Sequence, residues 1–106
     1  MYRAKFKAVT RSPVELPGVV RVLSEALRAA NCSVLEKPSW ILASCSERVI
    51  VRAYIQMGRH VGETLGFESV SVVEVESSNA IDVVKVASIV VGALERAGVG
   101  IVLEGG

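Results

Sequence analysis

Histidine and tryptophan each occur once and cysteine twice in 106 residues, and each scarcity closes a route to function. The lone His60 cannot complete a zinc site with Cys32 and Cys45, whose spacing matches no ligand pattern. His60 also has no nucleophile or orienting carboxylate near it in the chain, so acid–base catalysis is not indicated. Charge of one sign is not in excess: 12 Lys and Arg against 11 Asp and Glu leave +1. No global imbalance therefore points to nucleic acid or a membrane surface, and a binding patch must be local. Long apolar runs are missing as well. The most apolar stretch, Ile81 to Leu94, is interrupted by Asp82 and Lys85 and falls short of the ~20 residues of a membrane span. No apolar run follows the first basic residues, so no signal peptide is expected and the expected location is cytoplasmic. Two Asn and one Gln beside twenty Val, with Arg outnumbering Lys, lean toward a thermophile.

What is present suffices for one domain over residues 1–106. Hydrophobic residues make up 51% and charged residues 22%, which excludes disorder. Residues 2–36 and 69–104 share a layout of alternating strand, helix and short strand. Ala26-Leu27-Arg28-Ala29-Ala30-Asn31-Cys32 matches Ala93-Leu94-Glu95-Arg96-Ala97-Gly98-Val99. Two such β-α-β units build a small α+β sandwich.

Alternation over 2–9 places Tyr2, Ala4, Phe6 and Ala8 on one side of a strand and Arg3, Lys5 and Lys7 on the other. Ser12-Pro13-Val14-Glu15 has the form of a capping box, and an irregular turn at Pro17-Gly18 precedes a helix over about 17–30. Its apolar stripe is Leu16, Val19, Val20, Leu23, Ala26, Leu27 and Ala30, with Arg21, Ser24, Glu25 and Arg28 on the wet face. Further strands are expected at 33–36, 39–45, 48–56, 69–76 and 99–103, with a hairpin at Ser46-Glu47 and a short helix over 58–64. Asn79 caps a last helix, about 80–97, ended by Gly98. This helix is apolar nearly all round, so its surface exceeds what one sheet face covers.

In an ordinary cytosol Cys32 and Cys45 are free thiols, which is the first expectation; hyperthermophile cytosols are an exception. A bridge requires the chain to reverse at Lys37-Pro38, because a single strand would separate the pair by ~40 Å.

The main candidate site is the open face of the sheet. If the first strand neighbours strand 48–56, then Arg3, Lys5, Lys7, Arg48 and Arg52 share a surface with Tyr54, and Trp40 lies at its edge. Cations interleaved with aromatics hold phosphates and stack bases. The plainer alternative is a solvated face on which Glu74 and Glu76 pair with these cations. Gly58-Arg59-His60 with Gly62 and Gly66 lacks the spacing of a phosphate loop.

Three short stretches resemble known families. Ser44-Cys45-Ser46 with Arg48 is similar to a Ser-Cys-Ser-x-Arg stretch of wybutosine-synthesis methyltransferases, but Glu47 replaces that family's Gly. Gly105-Gly106 resembles the tail of ubiquitin-like proteins, whose element order differs. Residues 79–104 resemble a helix and strand of Alba-type chromatin proteins, a likeness that implies nucleic-acid binding and names no site.

The fold expected is a two-layer ferredoxin-like α+β sandwich, with pseudo-repeated β-α-β units and two helices on one face of a four- or five-stranded, mainly antiparallel sheet. No enzyme chemistry, cofactor motif or metal cluster stands out. The function expected is that of a homo-oligomeric structural or interaction protein. It would associate through the last helix, with Val83, Val84, Ile89, Val90 and Val91 divided between core and interface. The alternative is weak, sequence-independent binding of RNA or DNA on the basic face.

Overall fold

The computed structural model describes residues 1–10, 16–37, 39–46, 48–56 and 69–103. The expected capping box at 12–15, the short helix at 58–64, His60 with its glycines and Gly105-Gly106 lie outside them. The elements are β1 (Tyr2–Thr10), α1 (Leu16–Ala29), β2 (Ser33–Lys37), β3 (Trp40–Cys45), β4 (Val49–Gln56), β5 (Ser69–Ser77), α2 (Ala80–Arg96) and β6 (Gly100–Leu103).

All six strands join one sheet in the order β2-β3-β4-β5-β1-β6, where four or five were expected, and every neighbouring pair is antiparallel. Strands β1, β4, β5 and β6 with the two helices follow a β-α-β-β-α-β path, consistent with a ferredoxin-like arrangement. The β2–β3 hairpin is additional and extends the sheet beyond β4. The sequence repeat therefore does not map unit onto unit. β6 lies beside β1, whereas β2 ends up on the far edge, and β4 fills the place that matches β6.

What the matched segments do share is a helix end. The amide of Cys32 donates to the Leu27 carbonyl at 2.9 Å, and that of Val99 to the Leu94 carbonyl at 3.0 Å. Asn31 (φ 65°) and Gly98 (φ 76°) occupy the left-handed position that this closure requires. At the other end of α2, the Asn79 side chain accepts from the amides of Ile81 and Asp82.

Both helices cover the same face of the sheet. Val19, Val20, Leu23 and Leu27 of α1 and Val83, Val86, Val90 and Leu94 of α2 form one core with Phe6, Ala8, Ile41, Ala43, Val51, Val73 and Val75. Ser24, expected on the wet face, is buried, because α1 packs against α2 as well as the sheet and its covered arc is wider. Among the described residues no helix is long and apolar enough to cross a membrane.

Cys32 and Cys45 are bridged, which corrects the free-thiol expectation. The reversal that a bridge requires is the β2–β3 hairpin, in which Lys37 pairs with Trp40. It brings the two Cα atoms to 4.3 Å and fixes the end of α1 to the end of β3.

Candidate functional site

The face opposite the helices is built from alternate residues of each strand, and the register arranges them in three rows. One row runs Leu35, Leu42, Arg52, Glu74, Lys5. A second runs Lys37, Trp40, Tyr54, Val72, Lys7, Val102. A third runs Ser33, Ser44, Ile50, Glu76, Arg3. Period-two alternation puts these side chains on one side because Val34, Ile41, Ala43, Val51, Val75 and Phe6 take the other.

The face divides into two halves. On β5 and β1 it is charged. Glu76 is held between Arg3 (2.6 Å) and Arg52 (3.2 Å), and Lys5 lies 3.9 Å from Glu74. Arg52 also donates a hydrogen bond to Glu76 Oε2, whereas the Arg3 contact with Oε1 is an ion pair outside hydrogen-bond geometry. Both arginines stay solvated, so each of these pairs contributes at most ~1 kcal/mol.

On β2, β3 and β4 the face is mainly apolar, with Lys37, Arg52, Ser33 and Ser44 as its polar members. Leu35, Leu42, Ile50, Trp40 and Tyr54 are exposed, from 36% for Tyr54 to 51% for Leu35. Leu35 pairs with Leu42 and Trp40 with Tyr54 across neighbouring strands. A shallow groove of about 400 Å³ runs here, lined by Ser33, Val34, Leu35, Leu42, Ala43, Ser44 and Ile50.

The expected adjacency of β1 and β4 does not occur, since β5 lies between them. That insertion brings Glu74 and Glu76 into the middle of the cations. Arg3, Lys5 and Arg52 consequently face carboxylates, Lys7 sits beside Val72, and Arg48 lies in the β3–β4 turn past the end of the ladder. Tyr54 is the residue of the expected set that joins the apolar half. Ile50 falls on the same side of β4 as Arg52 and Tyr54, as alternation along that strand predicts, whereas Leu35 and Leu42 were not anticipated, and the apolar run Trp40-Ile41-Leu42-Ala43 shows no alternation from which a face could be read.

On the last helix, Val83 and Val90 are core, and Val91 packs partly buried against it. Of the five residues expected to divide between core and interface, Val84 and Ile89 are exposed, and Ile81 joins them. Among the described residues no group of three or more His, Cys, Asp or Glu could hold a metal ion.

No protein-family model matches the chain, and no curated protein matches it. Among solved structures it is similar to a prephenate dehydratase from Streptococcus mutans, at 16% identity and a TM-score of 0.47. The likeness covers 97% of this chain and 42% of that one, so the chain spans less than half the length of that protein.

Proposed function

We propose that the chain is a non-catalytic interaction domain that associates with itself through the apolar half of its open sheet face. The observation that carries this reading is the exposure of Leu35, Leu42, Ile50, Trp40 and Tyr54 on three adjacent strands, on the face opposite the two described helices. Contiguous apolar surface of this kind marks an interaction site. The last helix offers a second, smaller patch of Ile81, Val84 and Ile89.

Light scattering at micromolar concentration distinguishes the two surfaces. Leu42→Lys places a charge in the middle of the sheet patch and is expected to yield monomers, since uncompensated interfacial charge costs several kcal/mol. Val84→Lys is expected to leave the assembly intact. The reverse result would move the contact to the last helix, and a monomeric parent chain would end the proposal.

A second reading is weak, sequence-independent binding of single-stranded RNA or DNA. Its particular support is the Trp40–Tyr54 pair with Lys37 and Lys7 in the same row, two aromatic faces between cations. Arg3, Lys5, Lys7, Arg48 and Arg52 would then contact phosphates. Trp40, the sole tryptophan, reports occupancy directly through its fluorescence. On this reading an oligonucleotide quenches Trp40 at low salt, and each phosphate contact removed lowers the slope of log affinity against log salt by about one. Tyr54→Ala weakens binding by ~1–3 kcal/mol. Unchanged fluorescence at low salt would dispose of it.

A further inference from the structure

We infer that two copies stack open face on open face about a twofold axis running along β3, so that β3 lies on β3 and each β2 faces the other copy's β4. This inference rests on the self-association proposed above and specifies its geometry. Face-to-face packing is how two sheets bury apolar surface, with their strands within about 30° of alignment.

The charges select the axis. A strand on a twofold axis meets its own copy, so each of its open-face residues faces itself or its near neighbours. β2 would oppose Lys37 to Lys37, β4 Arg52 to Arg52, β5 its glutamates and β1 its cations. Among the strands inside the sheet, β3 alone presents an uncharged series, Trp40, Leu42 and Ser44. The edge strand β6 is also uncharged on this side, but an axis there leaves only the margin of the sheet in contact. An axis across the strands through the middle row fails too, because it stacks Lys5, Glu74 and Arg52 each on its own copy.

With the axis along β3 the rows complement one another. Leu42 meets Leu42, and Leu35 lies over the aliphatic stem of the other copy's Arg52. In the next row Trp40 meets Trp40, and Lys37 lies over the other copy's Tyr54, an arrangement for cation–π attraction. The charged half on β5 and β1 projects past the partner's β2 edge into solvent, where its own ion pairs already balance it. The face thus acts in two parts, an apolar half that associates and a charged half that disfavours the other axes by opposing like charges.

A pair of opposite substitutions at one site tests this geometry. Leu35→Glu faces Arg52 of the second copy, and Leu35→Lys opposes a like charge there. Sedimentation equilibrium at low salt should find the Leu35→Glu dimer at least about tenfold tighter than the Leu35→Lys dimer, with the difference shrinking at 1 M salt. The same exchange at Val84, remote from the contact, controls for net charge and should show no such difference. Leu42→Cys should join two chains through a short bifunctional thiol reagent, and Lys5→Cys should not. A dimeric parent chain whose two Leu35 variants are equally weakened, or whose Lys5→Cys variant crosslinks instead, would overturn the axis and leave the self-association standing. A monomeric parent chain would overturn both, and a monomer whose Trp40 is quenched by oligonucleotide would assign the face to nucleic acid.

Discussion

Breaking the Cys32–Cys45 bridge is expected to lower the stability of the fold by about 3 kcal/mol. The bridge closes a loop between residues 13 apart, and the entropy withheld from the unfolded chain by a loop of this size is worth ~3 kcal/mol. In a domain of this length that corresponds to a fall in melting temperature of ~10–20 °C. The Cys32→Ala/Cys45→Ala protein, and the parent chain in reductant, should show the same displacement in thermal unfolding. Denatured without reductant, the parent chain should give no reactive thiols. Two titrating thiols per chain would contradict the bridge. The consequence reaches the candidate site, because Cys32 immediately precedes β2 and Cys45 ends β3. Ser33 and Ser44, the residues adjacent to the bridge, pair across those strands and line the groove on the opposite face. Reduction therefore removes a clamp from the edge of the proposed docking surface.

Phe6→Ala should be at least as costly, about 3–5 kcal/mol. Phe6 is 1% exposed at the centre of β1, beneath α2, and its loss leaves a cavity in the core. Val102, which pairs with Lys7 on the other face, is 54% exposed, and Val102→Ala should fall within ~0.5 kcal/mol, the usual range for surface changes. Chemical denaturation of the two variants measures how differently the sheet's faces are used. Equal effects would mean that the open face is covered within the monomer, and the case for a docking surface would weaken.

Much of this arrangement is written locally. Alternation in β1 separates Phe6 from Lys5 and Lys7 with no knowledge of the rest of the chain. Asn79, Asn31 and Gly98 mark helix ends by their own hydrogen-bonding and backbone preferences, and the structure places these ends within a residue or two of expectation. Strand order is different in kind. That β5 rather than β4 pairs with β1 depends on competition among pairings distant in sequence, and no local preference of Glu74 or Glu76 shows it. This one insertion changes the candidate site, because it sets Arg3, Lys5 and Arg52 against Glu74 and Glu76 and leaves the apolar half as the exposed feature. The repeat misleads for a related reason: it encodes a helix closure, Leu27 to Cys32 and Leu94 to Val99, and closure does not determine where the following strand goes. The free-thiol expectation fails because Cys spacing carries no information on whether residues 33–43 fold back.

The emission of Trp40 followed against protein concentration, alongside molecular mass by light scattering, tests the central claim most directly. Trp40 is the sole tryptophan and lies on the open face, 37% exposed in the single chain. Self-association through that face predicts a shift to shorter wavelength that tracks the doubling of mass, and neither change in the Leu42→Lys variant. A doubling of mass with unchanged emission would place the contact elsewhere, and an unchanged mass up to 100 µM would contradict the account.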